Sequence, residues 1–258
     1  GVGNDGYVGA FGDVTMTGNE GDNVVKAVDF RGSTNIHGMG GDEILLGGSF
    51  RDTITGGDGN DYIQGGGGSD DLQGGNGDDL VRGQGAADIV GGGLGNDVIQ
   101  GGAGINQVRE SVDVDVSASG GRNSVQFTGI GTDTYSGEFF RVIIIGGDSD
   151  NSIDVSGLTI KSFIEGNGGD DRILGGSEQD IIDGGAGNDF IRSGFGNDIL
   201  RGGQGSDLII GDQGNDVVLG GSGNDILLGG SGRDIIPGGE GNDRSEEHTS
   251  ELQSHLNL

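Results

Sequence analysis

Aspartate returns every nine residues through 166–243, at Asp171, Asp180, Asp189, Asp198, Asp207, Asp216, Asp225, Asp234 and Asp243. A shorter series, Asp52, Asp61, Asp70, Asp79, Asp88 and Asp97, keeps the same interval upstream. Carboxylates at a fixed interval in an acidic chain can do two kinds of chemistry: acid–base work or cation binding. Here every copy carries the same company. Glycine fills most first, second and fourth places of the nine, aspartate the sixth, and an aliphatic the eighth: Ile173, Ile182, Ile191, Leu200, Ile209, Val218, Leu227 and Ile236. A period this regular is a solenoid signal.

The unit divides into a glycine-rich half that turns and an apolar half of three residues that suits a short strand. Two units then make one coil: turn, strand, turn, strand. Stacked coils lay strands of like direction side by side and fill a thin interior with the aliphatics. The expected fold is all-β, a parallel β-roll or β-helix solenoid with two nonapeptide units per coil. Turns on one side lie about 4.8 Å apart. Carboxylates stacked that closely repel unless cations lie between them. Calcium suits the gap, because it takes several oxygen ligands from carboxylates and backbone carbonyls alike.

GGAGNDFIR (184–192) and GGSGNDILL (220–228) resemble the glycine-aspartate nonapeptide of haemolysin-type calcium-binding (RTX) repeats. The resemblance covers about fifteen copies. It implies calcium in the turns of a parallel β-roll, and a secreted bacterial protein exported by a type I system. The metal ligands it implies are the two series of aspartates named above. If every regular pair of units i and i+2 holds an ion, about eleven calcium ions bind, and about +22 stands against the formal charge of −29.

Only 30% of the 258 residues are hydrophobic, 64 are glycine, and there is no Trp. That is too lean for a thick core. The registered aliphatics nevertheless argue against disorder, since neighbouring coils share an interior. A net charge of −29 disfavours nucleic acid and anionic membranes as partners and favours cations. The absence of cysteine fits a secreted or cell-surface bacterial protein held by metal rather than disulfides. No apolar run is long enough for a transmembrane helix, so no membrane insertion is expected.

Residues 1–37 read as a degenerate lead-in, with Asp5 in a repeat-like GVGNDGYV and Asn23 in place of Asp in 18–26. The start has no signal-peptide pattern and looks cut from inside a longer array. The first array, 38–109, begins with Asp42 at the sixth place, so the step to Asp52 is ten and one residue is inserted. Two of its units are degraded, one by Phe50 at the fourth place and one by Gln84, Ala86 and Ala87. Weaker or absent calcium is expected there. Residues 110–165 break the period and read as a wider, metal-free stretch of β-helix, with a separate small β-domain as the alternative. The second array is 166–243. Its units at 208–210, 217–219, 226–228 and 235–237 are apolar on both sides of the inward residue. They are expected to leave an apolar strip over 208–237, ordinary sheet surface or a docking face for another domain or a second chain.

After Asp243 the glycines and the period stop. RSEEHTSELQS (244–254) resembles a translated sequencing-library adapter, so 244–258 is set aside as a non-native, artefactual tail. The C-terminal region where the family carries its export signal would then be missing.

Material for catalysis is scarce. His248 and His255 lie in that tail, and His37 stands alone in a loop-like stretch. With no Cys and no H-E-x-x-H or G-x-S-x-G, neither a zinc nor a Ser-His-Asp mechanism finds its residues. The chain is expected to be non-catalytic. The leading expectation is a calcium-binding segment that folds on meeting calcium outside the cell. The alternatives are a stiff adhesin or surface-protein segment, or the non-catalytic part of a secreted protease, lipase or epimerase.

Overall fold

A computed structural model describes residues 13–111, 114, 116–129 and 132–248. Asp5, His255 and residues 249–258 of the tail discussed above lie outside them. Among the described residues there is no helix. The chain divides into two compact units, Gly1–Glu110 with Gly121–Val142, and Ser111–Gly120 with Ile143–Leu258. Each contains a parallel β-solenoid.

In the first unit, strand Thr53–Asp58 pairs in parallel with Asp71–Asn76, and Tyr62–Gly66 with Leu80–Gln84. In the second, Asp180–Ala186 pairs with Ile199–Gln204, and Leu208–Ile210 with Ile226–Ser231. Every partner is the strand two along, so consecutive units alternate between two sheets. The eighth-place aliphatics meet between them. Ile54, Ile63, Leu72, Val81, Val90, Ile99 and Val108 are fully buried, and Ile173 through Leu227 repeat the file in the second unit. Each contributes about 1.5–3 kcal/mol by burial. Ile236, at the end of its file, is only half-buried.

The two units open in the same way. Residues 24–61 and 152–189 correspond place by place, down to a loop two residues wider than the regular coil: Val24 stands beside Ile44 and Ser152 beside Arg172, whereas later partners are eighteen apart. Asn23 and Asn151 hold equivalent places before these loops, and each accepts a backbone N–H from its own turn. Hence 146–165, part of the stretch read as spacer, repeats the architecture of 18–37. Between them, Ser124–Thr128 and Thr132–Ile145 form an antiparallel pair, which a plain coil would not contain.

Three sequence expectations change. Glu43, not Asp42, holds the sixth place: its N–H donates to Asp61, while Asp42 sits one place earlier and accepts from Asn60. No residue is inserted before Asp52, because Glu43 to Asp52 keeps the nine-residue step. His37 lies on strand Thr34–Gly40, not in a loop. The apolar strip over 208–237 is divided, since Leu208 pairs with Ile226 on one sheet and Val217 with Ile235 on the other. Arg244–His248 continues as a strand against Ile226–Ser231. An open parallel edge offers N–H and C=O groups that any extended sequence can satisfy, so glycine-free residues can still pair there.

Candidate metal centre

The sixth-place aspartates lie inside the turns. Asp52, Asp61, Asp70, Asp79, Asp88 and Asp97, and Asp171 through Asp225 in the second series, are all at most 3% exposed. Asp234 and Asp243, at the end of the array, are half-buried. The turn needs its glycines to receive them. A side chain at Gly56 would run into the carboxylate of Asp61, and one at Gly202 into that of Asp207. First-place glycine is therefore room for a carboxylate. Second- and fourth-place glycines such as Gly57 and Gly59 carry positive φ and stack against a carbonyl of the preceding coil.

The carboxylates form files. In each, the N–H of one aspartate donates to Oδ1 of the next. One file links Asp52 to Asp70 at 2.8 Å, Asp70 to Asp88 at 2.9 Å, and Asp88 to Asn106 at 2.8 Å. Its neighbour links Asp61 to Asp79 and Asp79 to Asp97, both at 2.7 Å. In the second unit, Asp171, Asp189, Asp207, Asp225 and Asp243 make one file, and Asp180, Asp198, Asp216 and Asp234 the other. The i/i+2 pairing is thus a direct contact.

At many of these aspartates only one carboxylate oxygen is satisfied. Oδ2 of Asp70, Asp79, Asp88, Asp189, Asp207, Asp216 and Asp225 is buried and has no hydrogen-bond partner. Burial pushes six of these acids up: Asp70 to about 7, Asp79 to about 8, and Asp88, Asp189, Asp207 and Asp216 to about 6. A buried acceptor without a donor is costly, and more so when charged. Either a proton or a cation must supply what the turn withholds. Among the described residues no three acidic, histidine or cysteine side chains converge on one point. A metal held here must draw its remaining ligands from the carbonyls of the glycine turns. All-oxygen donors, anionic and carbonyl together, fit calcium and do not fit a soft or nitrogen-seeking metal.

The family description RTX calcium-binding nonapeptide repeat (4 copies) matches residues 37–72, 64–99, 73–108, 165–200, 193–227 and 219–244. The chain belongs to this family. No curated protein matches it.

Within the RTX repeats, two aspartates stand apart. Both oxygens of Asp52 have donors: Thr34 N–H and Oγ1 at 2.7 Å each on Oδ1, and Gly48 N–H at 2.7 Å on Oδ2. Asp180 copies the arrangement with Ser162 N–H and Oγ and Gly176 N–H. Burial still lifts Asp180 to about 6, against those donors. Their turns have Phe50 and Glu178 where the regular unit has glycine, and neither residue nor the preceding Gly48 and Gly176 takes positive φ. The turn folds onto its own aspartate instead. The other degraded RTX unit behaves differently. Gln84 and Ala86 adopt φ of 77° and 70°, so the turn keeps its shape at a strain cost, and Asp88 keeps an unpartnered oxygen.

One residue was not legible as a site. Asp133 lies outside the nonapeptides, yet its Oδ1 accepts the N–H of Asp97 at 3.0 Å and Thr134 N–H donates to the Asp97 carbonyl at 3.0 Å. It takes the next sixth place in that file, and burial pushes it up to about 7. Tyr135 follows as the inward residue, its hydroxyl donating to the buried Glu110, whose carboxylate accepts the N–H groups of Gly92 and Gly93. The GTDT stretch around Asp133 was the available signal, but the broken period concealed its place in the file.

Proposed function

We propose that this chain is a calcium-binding β-roll of a secreted bacterial protein, whose folding is driven by calcium met outside the cell. The observation that carries the reading is the unpartnered, buried Oδ2 that recurs along the carboxylate files. Without metal, each file holds desolvated like charges one strand spacing apart, and the net charge of −29 opposes compaction. Where calcium is scarce the chain stays loose enough to export by a type I route. Where it is about millimolar, ions bound at about 10⁻⁴–10⁻³ M add their binding free energy to folding.

What this chain's residues do is positional. The aspartate Oδ1 atoms hold coil to coil through the backbone ladder. The Oδ2 atoms and the turn carbonyls present oxygens to the ion, and bound calcium supplies the positive charge that lets the file remain ionised. The residues act as a metal-dependent scaffold and not as a catalytic centre. Circular dichroism at about pH 8, in excess chelator and then in calcium, tests this: at that pH substantial β signal should appear only with the ion. A chain already folded in chelator and unchanged by calcium would sink it.

A further inference from the structure

A cleft of about 370 Å³ opens on one edge of the second unit. Ser177, Phe195 and Gln213 stand at the third place of successive turns on that edge. They are tied by the Phe195 N–H to the Gly176 carbonyl at 3.2 Å and the Gln213 N–H to that of Gly194 at 3.0 Å. Arg192 and Asp212 form its wall, and Ser156, from the wide loop, closes one end.

Two features of this cleft are unlike the rest of the roll. Phe195 is 56% exposed, at a turn place that elsewhere in the array holds Ala186, Gln204, Ser222 or Ser231. Arg192 grips Asp212 side-on through Nε and Nη2, which leaves further N–H groups of the guanidinium free to donate beside a carboxylate that can accept. Asp212 sits at φ 63°, a positive φ shared by Met39, Gln84 and Asn167 at the same place of other turns, so that angle belongs to the turn and not to the cleft.

The first unit supplies an internal control. Its equivalent turns have the same backbone plan, but Gln64 stands for Arg192, Gly67 for Phe195, Gln84 for Asp212, Gly85 for Gln213 and Val28 for Ser156. Gln64 and Gln84 still contact each other, at 3.2 Å. The roll therefore needs neither the ring nor the ion pair in order to fold.

We propose that this cleft is a binding subsite for a neutral sugar residue of a glycan. A pyranose offers an apolar C–H face, which an exposed aromatic ring covers, and adjacent hydroxyls that donate and accept together. The Arg192–Asp212 pair presents a planar donor beside a planar acceptor, matched to two such hydroxyls; Gln213 adds an amide, and Ser156 and Ser177, whose hydroxyls donate to Asp154 and to the Leu158 carbonyl, can accept. The volume is at the lower end of the roughly 300–1,000 Å³ of small-ligand sites, enough for a short segment and not for a large ligand. The pair is neutral as a whole, and the chain's net charge of −29 disfavours acidic sugars.

The test is isothermal titration of the calcium-loaded full chain with cellohexaose, maltohexaose, xylohexaose and chitohexaose, and with an oligogalacturonate. At least one neutral oligosaccharide should bind. Phe195→Gly, and separately the Arg192→Gln/Asp212→Gln pair, should each weaken it by about tenfold or more. Both variants install the first unit's own residues and should keep the calcium-loaded circular dichroism. No neutral oligosaccharide bound at about 10 mM, tighter binding of the oligogalacturonate, or unchanged affinity in both variants overturns the proposal.

Discussion

The N–H of Asp189 donates to Oδ1 of Asp207 at 2.8 Å, while Oδ2 of Asp207 is buried with no donor at all. One carboxylate thus holds its neighbouring coil with one oxygen and keeps the other for something that is not protein. This division of labour repeats along both units. It separates the part of each aspartate that builds the roll from the part that binds.

Asp207→Asn should therefore act with opposite sign in the two metal states. The amide oxygen keeps the link to Asp189, and the amide nitrogen removes a buried charge. With Asp207 pushed up from 3.8 to about 6, ionising it within the roll costs about 3 kcal/mol. In chelator the variant should keep more residual β signal than the parent. In calcium it should lose metal affinity and melt lower. Calcium stoichiometry, melts in calcium and circular dichroism in chelator check this, and a variant with less β signal than the parent in chelator would refute it.

Asp180→Asn should give a different pattern. Both oxygens of Asp180 accept from Ser162 and Gly176, so an amide nitrogen would meet an N–H with no acceptor left for it. Stability in calcium should fall by about 1–3 kcal/mol, with no loss of bound ion. Asp52→Asn should behave alike through Thr34 and Gly48. Loss of one calcium on either substitution would return these aspartates to the metal-binding set.

The fold was legible because its signal is redundant: Ile182, Leu200 and Val218 repeat a place that only an inward residue can hold, and their burial follows from the period alone. The pairing of aspartates in units i and i+2 followed from the same count. What the period hid was local. Asp42 and Glu43 are adjacent acids, and only the backbone ladder decides which one enters the turn. Phe50 and Ala86 both replace a fourth-place glycine, yet Ala86 takes the positive φ of the regular turn and Phe50 does not. Asp133 joins the file from the second strand of an antiparallel hairpin, a contact that no nearest-neighbour count reaches.

In the absence of metal, acid should replace calcium in part. Asp70, Asp79, Asp189 and Asp207 have pKa values raised by burial from 3.8 to between about 6 and 8 in the folded state. The folded chain then binds more protons than the unfolded one. The stability this linkage contributes is fully present below about pH 4 and is lost as pH rises through 6 to 8. Circular dichroism of the calcium-free chain should show β structure growing as pH falls across that window, and calcium should flatten the curve. A metal-free signal that is constant from pH 8 to 4 would contradict the raised pKa values.

Ala86→Gly should stabilise the first unit. Ala86 holds φ of 70° at the fourth place, where Gly59, Gly77 and Gly95 stand in sister turns. An L side chain pays about 1–2 kcal/mol for that conformation, offset in part by the lower entropy of alanine in the unfolded chain. The net gain should be about 0.5–1 kcal/mol, and it should appear with calcium bound, where the turn shape is enforced. The reverse exchange, Gly205→Ala, should cost much more, because its side chain would also overlap the carbonyl oxygen of Gly187 in the coil before. A loss above about 2 kcal/mol is expected there. Urea unfolding in calcium measures both. If Gly205→Ala proved as mild as Ala86→Gly is helpful, close stacking of successive turns would not be what fixes glycine at the fourth place.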